Sequence, residues 1–202
     1  MGAKTGILGG SFNPPHLGHL MMAADALELR RLDRVLFVPA ATPPHKSRHD
    51  GMAAAEHRLA MTRLAIADEP RFEICDDEIR RGGISYTVET LRRLRAARPG
   101  DEFFLIIGGD TLRELPTWRE IDAILGMCGV ITIARPGFNK VMMQPALPPP
   151  WPEKLLAGVV TGHPMDISST DIRARISRGQ TIRNLVPEAV AGYIAAQKLY
   201  QA

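Results

Sequence analysis

The chain has 202 residues, 45% of them hydrophobic and 23% charged, and its 25 Lys and Arg outnumber 22 Asp and Glu for a formal net charge of +3. That length favours one domain over two independent cores, and that composition excludes general disorder. The slight basic excess identifies no nucleic-acid binder and suits a small phosphate-rich ligand equally well. No apolar run approaches the ~18 residues that a membrane span needs, and Met1 to Phe12 lacks the apolar core of a signal peptide. The expectation is a cytoplasmic protein with neither membrane nor nucleic acid among its partners.

The first predicted strand, around Ile7-Leu8, ends at Gly9-Gly10, and a helix follows from about Leu17 to Leu32 with Leu20, Ala23, Ala24 and Leu27 at helical spacing. Val35 to Val38 reads as a second strand stopped by Pro39, and a polar loop with Pro43-Pro44-His45-Lys46 comes after it. Ala53 to Ala67 is a predicted helix and Phe72 to Cys75 a strand. Cys75 and Cys128 form no CxxC pair, and each reads as a small buried hydrophobe rather than a metal ligand or disulfide partner. Thr87 to Ala97 is a helix with Val88, Leu91 and Leu94 on one face, which leaves Arg92, Arg93 and Arg95 for a solvated surface. Phe103 to Ile107 is continuously apolar, as suits a strand covered on both faces.

Thr117-x-x-Glu120 has the form of a capping box opening the next helix. Val130 to Ala134 is a further strand. Met142 to Pro152 is too rich in proline for regular structure and reads as a surface loop or lid. Val159-Val160 is a last short strand. Ser168, Ser169 and Thr170 offer caps for a helix to about Arg178, and Pro187 opens a final helix with Val190, Tyr193 and Ile194 as its apolar face. Strands alternating with helices predict an α/β fold, a Rossmann-like doubly wound parallel sheet with helices on both faces. The whole of 1–202 is expected to form one domain, with the segment at about 166–202 packed on the sheet edge. Ligands of such sheets bind beyond the carboxyl ends of the strands, so residues with chemistry should follow strands.

They do. After the first strand comes Gly9-Gly10-Ser11-Phe12-Asn13-Pro14-Pro15-His16-Leu17-Gly18-His19. The glycines let backbone approach a ligand, and the helix start offers N–H groups and a positive dipole end to phosphate. His16 and His19, three apart, can share one helix face, and Gly18 between them is read as room for a ligand. There is no Gly-Lys-Ser/Thr of a Walker loop and no GxGxxG. Near the other end, Ile167-Ser168-Ser169-Thr170-Asp171-Ile172-Arg173 places hydroxyls and N–H groups at a helix start with an arginine one turn in, a second set of groups for phosphate oxygens.

The first segment resembles the signature of the HxGH nucleotidyltransferase superfamily, and the second resembles its ISSTxIR motif. Ser85-Tyr86-Thr87, Ile107-Gly108-Gly109-Asp110, Leu115-Pro116-Thr117-Trp118, Ala134-Arg135-Pro136-Gly137 and Val186-Pro187 through Leu199-Tyr200 follow in the order met in the bacterial nicotinate-nucleotide adenylyltransferase family, so the resemblance spans nearly the whole chain. It implies transfer of the AMP part of ATP to nicotinate mononucleotide, giving nicotinate adenine dinucleotide and pyrophosphate in NAD biosynthesis.

By that resemblance His16, His19, Lys46 and Arg173 carry catalysis. Gly9, Gly10, Ser11, Phe12, Asp110, Ile167, Ser169 and Thr170 join them around ATP. Asn13, Lys46, Tyr86, Thr87, Trp118 and Arg135 lie toward the mononucleotide. Mg²⁺ enters with ATP, bridging phosphates largely through water, with no dedicated protein metal site. Asn13 stands where related sequences often have Asp, and its amide still offers hydrogen bonds to the loop. A phosphorylated acceptor of another kind with ATP or CTP, or a non-catalytic nucleotide-binding regulator, remain alternatives. Oligomeric state, including a homo-oligomer, stays open.

Overall fold

A computed structural model describes residues 2–44, 51–134 and 145–201. The elements, in chain order, are β1 (Lys4–Gly10), α1 (Leu17–Leu29), β2 (Arg34–Pro39), α2 (Ala55–Ala65), β3 (Phe72–Ile74), α3 (Asp77–Arg81), α4 (Thr87–Ala97), β4 (Glu102–Gly108), α5 (Gly109–Glu114), a 3₁₀ turn (Leu115–Thr117), α6 (Ile121–Met127), β5 (Gly129–Ala134), α7 (Trp151–Ala157), β6 (Val159–Thr161), α8 (Ser169–Ser177) and α9 (Glu188–Ala196). The strands form one six-stranded parallel sheet in the order β3-β2-β1-β4-β5-β6. This is the doubly wound order, reversing between β1 and β4, and it confirms the predicted Rossmann-like class.

The chain divides into two compact units. The first holds residues 1–8, 22–36 and 86–164. Its centre is β4, whose Phe103, Leu105, Ile106 and Ile107 are buried, as a strand covered on both faces requires. β4 pairs with β1 from Lys4↔Glu102 to Ile7↔Leu105 and with β5 from Phe104↔Gly129 to Gly108↔Ile133. Gly6 in β1 is a true requirement for closeness: a Cβ there would stand 2.8 Å from Ile106 Cδ1 and 2.9 Å from Leu32 Cδ1. Helix α4 buries Val88, Leu91 and Leu94. Its predicted solvent face is in part engaged, since Arg92 pairs with Glu120 and Arg95 Nη1 donates to the Met127 carbonyl at 2.8 Å. Beyond β6, His163 gives both its N–H (2.8 Å) and its Nδ1 (2.6 Å) to the buried carboxylate of Asp25 on α1.

The second unit holds residues 9–21, 37–85 and 165–202. Phe12, Phe37 and Phe72 form a run of ring contacts through it, at centroid separations of 5.8 and 5.2 Å. Helix α9 buries Val190 and Ile194 as expected, and its Tyr193 hydroxyl meets His57 Nδ1 on α2 at 2.9 Å.

Several local expectations are corrected. Thr117 caps no helix: it closes the 3₁₀ turn, its hydroxyl donates to the Glu114 carbonyl at 2.7 Å, and α6 starts only after Glu120, which adopts φ 54°. Of the proline-rich stretch, residues 142–144 lie outside the described residues, and Trp151 and Pro152 already belong to α7, where proline in the first turn gives up no helical hydrogen bond. Both cysteines are half-buried rather than buried. Helix α3, five residues long, is too short to show a period.

Candidate active site

Helix α1 begins directly after His16, and its first turn is built around the two histidines. The backbone N–H of His16 donates to His19 Nδ1 at 3.2 Å, and the His19 N–H donates to the His16 carbonyl at 2.9 Å. The first of these is one half of a capping box, with imidazole in place of a carboxylate; the second is an ordinary backbone bond. Because Nδ1 of His19 accepts, the proton of the neutral ring sits on Nε2. The rings stack at 3.7 Å with 27° between planes, so both do share one face. Phe12, buried and at φ 45°, braces His19 from behind in an edge contact at 5.0 Å.

His16 is 6% exposed, and burial pulls its pKa down to about 4. It is therefore neutral at pH 7 and offers hydrogen bonding rather than charge. Its Nδ1 is buried without a hydrogen-bond partner among the described residues. A Cβ on Gly18 would lie 3.1 Å from that Nδ1 and 3.2 Å from Cε1. The space at Gly18 thus belongs to the His16 ring, not to a ligand. The helix end is also less open than the sequence promised: Leu17 N–H donates to the Leu185 carbonyl at 3.0 Å, which with the His19 bond takes two first-turn donors out of use.

Helix α8 brings the second motif into the same unit. Ser168 is its N-cap, accepting from the Asp171 N–H at 3.1 Å. Ser169 Oγ donates to the Pro14 carbonyl at 2.9 Å, and Arg173 Nη1 donates to the Asn13 carbonyl at 3.0 Å. Arg173 Nη2 reaches Thr170 Oγ1 at 3.4 Å, and the Ile167 carbonyl lies against the Gly18 position. The two predicted phosphate segments, residues 9–19 and 167–173, therefore meet at Asn13, Pro14 and Gly18. Gly9 is exposed with open space at its Cα, and Gly10 accepts the Ala40 N–H through its carbonyl at 2.9 Å.

Asn13 does hydrogen-bond the loop, and more fully than its sequence position implied. It is 3% exposed, its Nδ2 donates to the Gly51 carbonyl (3.3 Å), and its Oδ1 accepts from the Ala53 N–H (3.0 Å) and the Tyr200 hydroxyl (2.7 Å). Sequence reasoning missed Arg58 altogether. It is 1% exposed on α2, and its guanidinium donates to three backbone carbonyls, those of Ala53 (3.1 Å), Ser11 (2.8 Å) and Ala41 (2.8 Å). Burial lowers its pKa, while Tyr200 and Glu56 act in the other direction. It lines a cavity of about 520 Å³ with Ala41, Thr42, Ala53 and Gly83. The only sequence signal for it was an arginine on a helix face that is otherwise core.

The first unit carries Tyr86, Thr87, Asp110 and Trp118. Tyr86 and Thr87 are half-buried at the start of α4, whose first turn has no side-chain cap among the described residues. Arg119 lies over the Tyr86 ring at 4.6 Å and 3.7 Å from Glu89. Trp118, half-buried, follows the 3₁₀ turn, its N–H on the Leu115 carbonyl at 3.0 Å. Asp110 opens α5 directly after β4, with its side chain 82% exposed and 3.7 Å from Arg113. Lys46 and Arg135 lie outside the described residues. Among the described residues no group of three His, Cys, Asp or Glu side chains could hold a metal ion, and no helix is long and apolar enough to cross a membrane.

A cytidylyltransferase-like family model matches residues 7–175. Relatives named nicotinate-nucleotide adenylyltransferase are 43% identical in Citrifermentans bemidjiense and 45% identical in Geobacter sulfurreducens, each with 98% of both chains covered. The chain belongs to the nicotinate-nucleotide adenylyltransferase family. A solved structure of Plasmodium falciparum nicotinic acid mononucleotide adenylyltransferase complexed with NaAD shares the fold, with a TM-score of 0.76 at 19% identity over 98% of this chain and 97% of that one. A complex of the same Plasmodium protein with APC matches with a TM-score of 0.73 at 17% identity. Within this family the stacked histidine pair and the Arg173–Asn13 contact fall in the two segments that led to the resemblance.

Proposed function

We infer that this chain is an enzyme that joins ATP and nicotinate mononucleotide to give nicotinate adenine dinucleotide and pyrophosphate, with residues 1–202 acting as one nucleotidyltransferase domain. The observation that carries the reading is the stacked His16–His19 pair at the start of α1, in one unit with Arg173, in a chain of this family. A phosphate oxygen of the mononucleotide attacks the α-phosphorus of MgATP. The new P–O bond forms as the bond to the β-phosphate breaks, and pyrophosphate leaves in line. A phosphate monoester needs no activation by an enzyme nucleophile, so catalysis rests on positioning and on charge stabilisation.

Each residue has a part in this. His19, with its Nε2 proton, and neutral His16 donate hydrogen bonds to phosphate oxygens. The positive charge comes from Arg173 and Lys46. Ser169 and Thr170 complete that end, and Gly9 to Phe12 supply backbone for close approach. Asp110 anchors a ribose. Trp118 offers a face for the pyridine ring, Arg135 lies on that side, and the uncapped first turn of α4 at Thr87 offers N–H donors and a positive dipole end to the carboxylate. Mg²⁺ bound with ATP would neutralise charge on the phosphates, beside the donors of His16, His19 and Arg173. The enzyme works in the cytoplasm on small molecules.

Pyrophosphate release decides among the readings. ATP with nicotinate mononucleotide should give rapid release, with on the order of 10²-fold lower kcat/KM for the nicotinamide form, because a carboxamide turns an NH₂ toward donors and leaves polar groups unpaired at roughly 1–3 kcal/mol each. Release only with CTP, or only with another phosphorylated acceptor, would move the chain to a different activity on the same fold.

A further inference from the structure

Nothing so far gives Tyr200 a role, yet its hydroxyl makes a 2.7 Å hydrogen bond to Asn13 Oδ1. Asn13 is the node of the phosphate loop. Its carbonyl accepts Arg173, its Oδ1 also accepts the Ala53 N–H, and its Nδ2 donates to Gly51. A side-chain amide oxygen has two lone pairs, and here both are filled, one by backbone and one by Tyr200. That fixes which end of the amide is oxygen, and so holds Nδ2 toward Gly51. Arg58 grips the neighbouring Ser11 and Ala53 carbonyls, so residues 11–13 and 51–53 are laced together from two sides.

We propose that Tyr200 is a positioning residue for ATP binding: through Asn13 it holds the Ser11–Asn13 loop and the guanidinium of Arg173 in the orientation that receives phosphate. Three further observations support it. Tyr200 sits at φ 62°, a left-handed backbone unusual for an aromatic residue, which turns its side chain back into the unit. The phenol is half-buried, and burial pushes its pKa up, opposed by the nearby positive charges of Arg173 and Arg58, so the hydroxyl stays protonated and able to donate. Finally, Arg173 donates through Nη1 to the carbonyl of the residue that Tyr200 secures, while its Nη2 reaches Thr170 Oγ1, so the planar fork is oriented from the Asn13 side.

The proposal rests on the functional reading above, and its test separates the two. The change Tyr200→Phe removes the hydroxyl and keeps the ring. We expect unchanged secondary structure, a KM for ATP raised about 5- to 20-fold, a smaller rise in the KM for nicotinate mononucleotide, toward which Asn13 also lies by the resemblance, and a parallel loss of affinity for a non-hydrolysable ATP analogue by calorimetry. Misplacing a binding group by a fraction of an ångström to an ångström costs up to about 10²-fold, so the effect is within reach.

Asn13→Asp keeps an oxygen for both donors and should retain ATP affinity better than Asn13→Ala. In a double-mutant cycle, Tyr200→Phe should add little to Arg173→Ala, because both act on one contact, and should add fully to Trp118→Ala. Additivity in both cycles, or a lowered Tm with both KM values unchanged, overturns the proposal. A wild type that binds the ATP analogue but transfers nothing to nicotinate mononucleotide overturns the functional reading alone, since the binding arm still tests Tyr200. A wild type that binds no ATP overturns both.

Discussion

His19 accepts the backbone N–H of His16 through Nδ1 at 3.2 Å, so one ring both caps helix α1 and carries its own proton on Nε2. The two roles can be separated by substitution. His19→Ala loses a preorganised donor and should lower turnover about 10²- to 10³-fold. The lost cap should cost about 1 kcal/mol, as N-terminal helix contacts do. His19→Asn, whose side-chain oxygen can still reach the His16 N–H, should recover most of the stability and little of the turnover. Steady-state kinetics beside urea denaturation reads both. Normal turnover in a folded His19→Ala protein would make the residue structural only.

Gly18→Ala tests the space that the His16 ring occupies. The added Cβ stands 3.1 Å from Nδ1, so the ring must move by a few tenths of an ångström. Alanine gains about 0.8–1 kcal/mol of helix propensity over glycine, which offsets the crowding, so Tm should stay within a few degrees. Turnover should fall on the order of 10-fold because a phosphate donor is displaced. Unchanged kcat would show that the ring position is unimportant.

The burial of His16 sets a pH dependence of stability. Its folded pKa, about 4, lies below the unfolded value of 6.5. Between those values the unfolded chain binds more protons, so stability rises with pH across that window. The contribution is complete above pH 6.5 and is lost as pH falls toward 4. At about 1.36 kcal/mol for each pKa unit, its upper bound is about 3–4 kcal/mol. Denaturation midpoints from pH 7.5 to 4.5 should fall more steeply for the wild type than for His16→Asn. Parallel curves would show that the ring is solvated.

Arg119→Ala should loosen Tyr86, over whose ring the guanidinium lies at 4.6 Å, and release Glu89. A cation–π contact at an exposed site contributes about 0.5–1 kcal/mol. The expected result is a threefold to tenfold higher KM for nicotinate mononucleotide with the KM for ATP unchanged. A change confined to ATP would remove Tyr86 from the mononucleotide side.

Arg58→Met should destabilise the protein strongly, by roughly 2–4 kcal/mol, since three carbonyls lose their donor in a buried place. Arg58→Lys should recover only part, because one ammonium cannot reproduce the planar fork that spans all three. A chemical denaturation series settles the ranking, and equal stability of Lys and Arg would show that charge alone matters.

Much of the fold was legible because its signals are local. The apolar run of β4 and the 3.6-residue period of α4 each survive within a dozen residues, and Ser168 caps α8 as its residue type foretold. Thr117 misled because a hydroxyl followed by Glu120 can equally close a 3₁₀ turn, and which bond forms depends on the left-handed Glu120. His16 and His19 were legible as a pair from their spacing. Arg58, and the use made of Asn13 and Tyr200, were not: Arg58 spends its donors on backbone carbonyls of three loops, and Asn13 and Tyr200 are 187 residues apart, so neither leaves a periodic trace.

That distance has a consequence for the protein's synthesis. Asn13 is 160 residues from Arg173 and 187 from Tyr200, and Pro14 is 155 from Ser169. A ribosome adds about 5–20 residues each second, so the phosphate loop waits roughly ten seconds or more, already outside the exit tunnel, before the residues that fasten it are made. During that interval the nascent chain cannot hold the loop in its finished shape. The loop therefore gains its finished fastening only after Ser169, Arg173 and Tyr200 have been made.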